Sequence, residues 1–300
     1  MFSAVLSPEQ IEKLHVASLR ILATTGVHVP HADMRSRLAA AGSAVDEATE
    51  IVRIPESVVD ACLASCGKTF SIVGRDERKV ARFGFGERNY NSIAGEAHWI
   101  DTPGGNRRFA MLEDVGTATR FADALPHINI PGAMTDPYDV PAPVRCIEVF
   151  AAMLHNTTKP VTFWLHDRAS AEYLNELMIA IRGSEQAATD KPIFYPFLEP
   201  ISPLRFPFNG IDLLYETARL NLPVPIGPMA QTGLSAPCTL AGTMAVENAE
   251  ILAGLCITQM VRPGMPVCYG GICHAFDMRT TQLIFSGPEQ AIFGVALTQM

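Results

Sequence analysis

Apolar positions recur with a helical period at the start of the chain. In SPEQIEKLHVASLRILATTG, residues 7–26, Ile11, Leu14, Ala17 and Ile21 share one face, the mark of an amphipathic helix. Ser7 stands as N-cap, Pro8 at the first helical position, Gln10 where a capping box needs it, and Gly26 as a stop. A second helix is predicted from His31 to Ala41, ended by Gly42, and a third from Pro55 to Ser65. From Thr69 to Met111 the pattern shortens to runs such as TFSIV and EAHWI between GRDER, GFGER and PGGNRR, which suits antiparallel hairpins. The glycine pair of GFGER lacks the full phosphate-loop fingerprint and a strand-to-helix setting, so it is taken as a turn.

After Glu113 helical patterns alternate with short apolar runs. EDVGTATRFADAL precedes INIPGAM, PVRCIEVFAAMLHN precedes PVTFWLH, and ASAEYLNELMIAI precedes PIFYPFLEP. NGIDLLYETARL precedes PVPIGPM, PCTLAGTMAVENAEILAGLCITQM precedes PVCYGG, and a last helix starts near Pro288. Buried strands alternating with helices imply an α/β fold with a parallel sheet. A doubly wound sheet normally carries a glycine-rich first turn. Its absence, with proline at strand starts and polar residues just after strand ends, favours a TIM (β/α)8 barrel. About five βα units are visible where a barrel has eight, and an open edge that long is avoided in natural sheets. The expectation is a barrel truncated after about five units, the first part of a longer protein. Residues 1–112 form its N-terminal helical and β-hairpin extension and residues 113–300 the barrel portion.

Composition narrows the function. With 48% hydrophobic and 18% charged residues over 300 positions, the chain can bury a large core. A net charge of −8 offers no basic footprint for nucleic acid. No signal-peptide pattern opens the chain, and the apolar run ILAGLCITQMV is too short to span a bilayer, so a cytoplasmic protein without a membrane partner is expected. Seven cysteines without paired spacing suit free thiols in a reducing compartment.

Several fragments, taken together, resemble the trimethylamine methyltransferase family. They are GRD at 74–76, PIF at 192–194, SPL at 202–204, LAGT at 240–243, NAEIL at 248–252, PG at 263–264, V-x-YG at 267–270 and GPE at 287–289. The resemblance covers essentially the whole chain. It implies a TIM-barrel methyltransferase of methanogenesis-type one-carbon metabolism. Such an enzyme moves a methyl group from a methylated amine to the Co(I) of a separate corrinoid protein. It binds no cofactor directly, because the cobalamin belongs to the partner. In the trimethylamine-specific branch a pyrrolysine follows shortly after the helix that begins here at Pro288, whereas relatives without it use quaternary amines such as glycine betaine.

Side chains after the carboxyl ends of barrel strands converge on the active face. That rule selects Asp136, His166 and Asp167, Glu199, Gln231 and Thr232, and His274 and Asp277. Among these, Glu199, His274 and Gln231 are the catalytic candidates. A quaternary ammonium is held by aromatic faces, which brings in Tyr269, Phe197 and Trp164 as substrate-binding candidates, with Tyr195 and Phe276 nearby. Asp277 joins them, as does Ser235 in QTGLSAP, where free N–H groups near Ser235 and Ala236 would suit a betaine carboxylate. The simpler alternatives are ordinary: a loop salt bridge for Glu199, a structural histidine bonded to Asp277, turn aspartates and core aromatics. A zinc site from Cys268, Cys273, His274 and Cys256 is disfavoured because the cysteines lack a CxxC spacing. Two other functions remain open: a lyase using Glu199 and His274 as acid and base, or a methylated-amine binding protein without turnover. Homo-oligomerisation is compatible with either.

Overall fold

The computed structural model of the protein describes residues 4–300. The fold is mixed α/β and its packing separates into two compact units.

The first unit combines the chain up to Cys66 with Leu198–Ile211 and Val224–Met300. Its opening helix, Pro8–Thr24, has the expected capping box: Ser7 N–H donates to Gln10 Oε1 at 2.8 Å and Gln10 N–H donates to Ser7 Oγ at 3.3 Å. Gly26 turns the chain at φ +79°, where an added Cβ would lie 2.5 Å from the Val52 carbonyl oxygen, so only glycine fits. Helices Ala32–Ala40 and Glu56–Ser65 follow as expected. Between them lies a three-stranded antiparallel sheet of Val27–His28, Ile51–Arg53 and Ala44–Asp46, which the sequence pattern did not announce.

The unit is organised around the helix Leu240–Val261, which Thr239 caps through its Oγ1. Among the described residues this helix is long and apolar enough to cross a membrane by length and composition, exceeding the sequence expectation. However, 83% of its apolar window is buried inside the fold. Beneath it, Val224–Ile226 and Val267–Tyr269 pair in parallel, and Leu198 N–H donates to the Pro225 carbonyl at 3.0 Å.

The two glycines that close the run PVCYGG would be expected to turn the chain at the strand end, but they do not end this ladder. Gly270 passes so close to Ile226 that a Cβ would meet its carbonyl oxygen at 2.5 Å, and Gly271 takes φ +127°. Pairing then resumes, with Ile272 N–H donating to Pro228 O and His274 N–H to Ala230 O. His274–Asp277 runs parallel to Gln231–Thr232 and antiparallel to Gln282–Ile284. This hairpin replaces the loop expected there. The helix Pro288–Gln299 packs through Phe293, Ala296 and Leu297 on Leu14, Met244 and Ala245.

The second unit comprises Gly67–Phe197 and Asp212–Pro223. Its hairpins, Phe70–Val73 with Val80–Phe83 and His98–Ile100 with Arg107–Phe109, match the turn-rich region of the sequence. Helices Leu112–Ala124, Arg145–Asn156 and Arg168–Arg182 alternate with apolar runs that touch in the expected parallel order. Ala133 N–H donates to Thr162 O, Thr162 N–H to Pro131 O and Val161 N–H to Ile193 O, at 3.0–3.1 Å. The first two make one isolated parallel bridge, Gly132 with Thr162, and the third is a single hydrogen bond, in place of the continuous strands expected. Pro131, Pro160, Pro192 and Pro196 have no N–H to give, so the ladder is interrupted in every run. Phe150, Phe163 and Phe194 fill the core between runs and helices, their ring centroids 5.2–5.5 Å apart. Lys159 closes the end of the helix Leu112–Ala124: its Nζ donates to the carbonyls of Ala122, Asp123, Leu125 and Ile128 at 2.8–3.2 Å.

Candidate functional site

In the first unit the parallel pairing of Gln231–Thr232 with His274–Ala275 sets Gln231 directly beside His274. Ser235 belongs to the same corner, its Oγ accepting from Gln231 N–H at 2.9 Å. The N–H groups of Leu234, Ser235 and Ala236 all turn to the Gln231 carbonyl oxygen at 3.1 Å. The N–H donors expected to hold a carboxylate are therefore already engaged, and the helix begins only at Leu240.

His274 is fully buried, neither ring nitrogen has a hydrogen-bond partner, and its ring stacks on Phe285 at 4.7 Å. Burial lowers its affinity for a proton, so it stands as a neutral imidazole. It does not bond Asp277, whose Oδ1 instead accepts from the N–H groups of Arg279 and Thr280 and closes the hairpin turn. Glu199 keeps an exposed face, while burial of the rest raises its carboxyl above the ordinary range. Tyr269 donates its hydroxyl to Asn248 Oδ1 at 2.9 Å, yet its side chain remains 39% exposed. The polar end is fixed while part of the residue stays in solvent. Cys256 lies beside Cys62 rather than with Cys268 and Cys273. Among the described residues no group of three His, Cys, Asp or Glu side chains is placed to hold a metal ion.

In the second unit Trp164 and Phe197 are 40% and 38% exposed, unlike their buried neighbours Phe163 and Phe194. Trp164 lies over Gly95, where an added Cβ would meet the indole at 3.4 Å. Tyr195 is a core residue packed with Ile72, Ala81 and Ile130. Asp136 pairs with Arg145 at 3.0 Å and stands 3.7 Å from His166 Nε2. Asp167 caps the helix Arg168–Arg182 through Ser170 N–H. Both aspartates thus have local structural work to do.

Sequence reasoning missed the carboxyls behind this corner. Glu247 and Glu250 are both fully buried on the helix Leu240–Val261. Glu250 accepts from Ser202 Oγ at 2.7 Å and Leu204 N–H at 2.6 Å. Glu247 Oε2 accepts from Ala230 N–H at 2.8 Å while Oε1 has no hydrogen-bond partner. Burial, reinforced by the nearby Glu250 charge, pushes Glu247 up to about 8. A buried carboxyl of this kind is uncharged at neutral pH. The available signal was two glutamates three positions apart in an otherwise apolar helix.

Parallel pairing with covering helices defines an α/β protein. The trimethylamine methyltransferase (MTTB) family matches residues 2–300, and the chain belongs to that family. A trimethylamine methyltransferase MttB of Desulfitobacterium hafniense (strain DSM 10664 / DCB-2) is 24% identical over 297 residues, covering 99% of this chain and 60% of the relative. The MttB of Methanosarcina thermophila is 27% identical, covering 97% and 62%. A glycine betaine methyltransferase of D. hafniense (strain Y51) is 26% identical, covering 99% and 61%. The chain thus spans about 60% of the length of these curated relatives. A crystal structure of the hydroxylamine MtmB complex matches 92% of this chain and 55% of that chain, with a TM-score of 0.53 and 14% identity. That likeness is one of fold.

Proposed function

We propose that the protein takes part in moving a methyl group from a methylated amine, a quaternary amine such as glycine betaine or else trimethylamine, to the Co(I) of a cognate corrinoid protein. Family membership across residues 2–300 carries this reading. The finer architecture proposed with it is the first five βα units of a TIM barrel, residues 113–300, preceded by the extension 1–112. The proposed setting is the cytoplasm.

The corrinoid, carried by the partner, supplies the nucleophile that accepts the methyl carbon. This chain's residues have to bind the ammonium, aim one methyl outward and leave the nitrogen free to take the electron pair of the broken C–N bond. Half-exposed Tyr269 in the first unit, and Trp164 and Phe197 in the second, are each side chains of a type that suits a cation without N–H donors, because the face of an aromatic ring attracts positive charge. A quaternary amine leaves as a neutral amine, so no general acid is required. Neutral His274 and uncharged Glu247 add no fixed negative charge that would favour the ground-state cation over the transition state. Glu199, Gln231, Asp277 and Ser235 remain the polar residues proposed to orient the rest of the substrate.

The test is to incubate the protein with 13C-methyl glycine betaine or trimethylamine and chemically reduced cobalamin, following demethylated amine by mass spectrometry. Demethylated product that requires the protein supports the proposal. Binding without product favours an amine-binding protein, and elimination products favour the lyase reading of Glu199 and His274.

A further inference from the structure

Three buried side chains within about one turn of one helix each hold a different segment. Glu250 holds Ser202 and Leu204, Asn248 holds the Tyr269 hydroxyl, and Glu247 holds Ala230. Glu247 has the shortest route to the proposed site. Ala230 N–H donates to Glu247 Oε2, and Ala230 O in turn accepts from His274 N–H at 3.1 Å. Gln231 is the next residue and pairs with His274. On its other side Glu247 reaches the rim glycine: a Cβ on Gly271 would stand 2.7 Å from Oε1. The glycine therefore allows the segment to close over the carboxyl.

We propose that Glu247 is a positioning residue that sets the Ala230–Thr232 and Ile272–His274 segments, and through them Gln231 and His274. The inference rests on the methyl-transfer reading only for what those two side chains do. Several titratable groups face Glu247: Glu250 from its own helix, and Tyr269 and Cys273 from the segment that covers it. Burial raises all three of these as well. Oε2 accepts from Ala230 N–H. A glutamine has the same length and can keep an oxygen there as acceptor. An aspartate, one methylene shorter, cannot reach Ala230 N–H without moving the helix or the strand.

The chain has eight histidines, so selective 15N-histidine labelling gives a tractable imidazole spectrum, with His274 assigned by its own substitution. The expected result is that E247Q leaves the His274 resonances in place. E247A and E247D displace them, while the His127 and His155 resonances stay fixed. If E247A does not fold, E247D decides. A folded E247D whose His274 signals coincide with wild type overturns the proposal. In parallel, glycine betaine affinity should fall about tenfold in E247D, the scale of one lost buried hydrogen bond, and stay near wild type in E247Q. Equal affinity in E247D and wild type would also overturn it. A wild-type protein that binds no amine would defeat the methyl-transfer reading instead, leaving the imidazole result to decide this one.

Discussion

Replacing Glu247 by glutamine should change how stability depends on pH. The carboxyl ionises near 4.5 in an unfolded chain and at about 8 in the fold. Between these values the unfolded chain has released its proton and the folded protein has not. The stabilisation is therefore complete below about pH 4.5 and is lost progressively as pH rises towards 8. One tenfold change in proton affinity corresponds to about 1.36 kcal/mol, so the interval amounts to on the order of 5 kcal/mol for this fully buried group. Glutamine has the same shape and no titration. E247Q should lose most of the decline in stability between pH 5 and 8 and become more stable than wild type at the upper end. Glu250, also raised by burial, leaves a smaller slope in the same direction. The assay is urea unfolding at several pH values, followed by far-ultraviolet circular dichroism. Parallel stability–pH curves for wild type and E247Q would refute the reasoning, because they would mean that Glu247 ionises alike in both states.

Other substitutions probe other parts of the account. K159M removes the cation that binds four carbonyls after the helix Leu112–Ala124. It should lower stability by about 1–3 kcal/mol, which thermal melting will measure. G254A places a methyl 2.6 Å from Ile226 Cγ2 and should destabilise by about 1–3 kcal/mol through overpacking; an unchanged melting temperature would show that helix and strand can separate freely. W164A and Y269A, measured separately by calorimetry, should each weaken binding of a quaternary ammonium about 2- to 30-fold, the range of one cation–π contact. Y269F should retain affinity if the ring rather than the hydroxyl is what binds.

The helices were legible wherever a local signal marks an end. Ser7 and Gln10 act on each other three residues apart, so the sequence contains the whole interaction. The strands were harder. The runs at 130–133, 161–163 and 192–198 were found from their apolar character, but their prolines break the ladder and leave single bridges. The hairpin His274–Ile284 was missed because Gly270 and Gly271 resemble a stop. In the structure they are a close crossing over Ile226 and Glu247, which only tertiary contact defines. Among the proposed site residues, Gln231, Ser235 and His274 share one corner. Asp277 turned out to close a turn. Glu247 and Glu250 escaped notice because the burial of a carboxyl depends on what covers it. Nothing adjacent in sequence reports that Ala230, Ser202 and Leu204 supply the covering N–H and O–H groups.

The central claim is methyl transfer from a methylated amine to cobalt, and it is tested most directly by following the label itself. With 13C-methyl glycine betaine or trimethylamine, reduced cobalamin and the protein, the account predicts that 13C passes from the amine to the cobalamin at a rate proportional to protein. Label that stays on both amines, under conditions where calorimetry shows them bound, would contradict it.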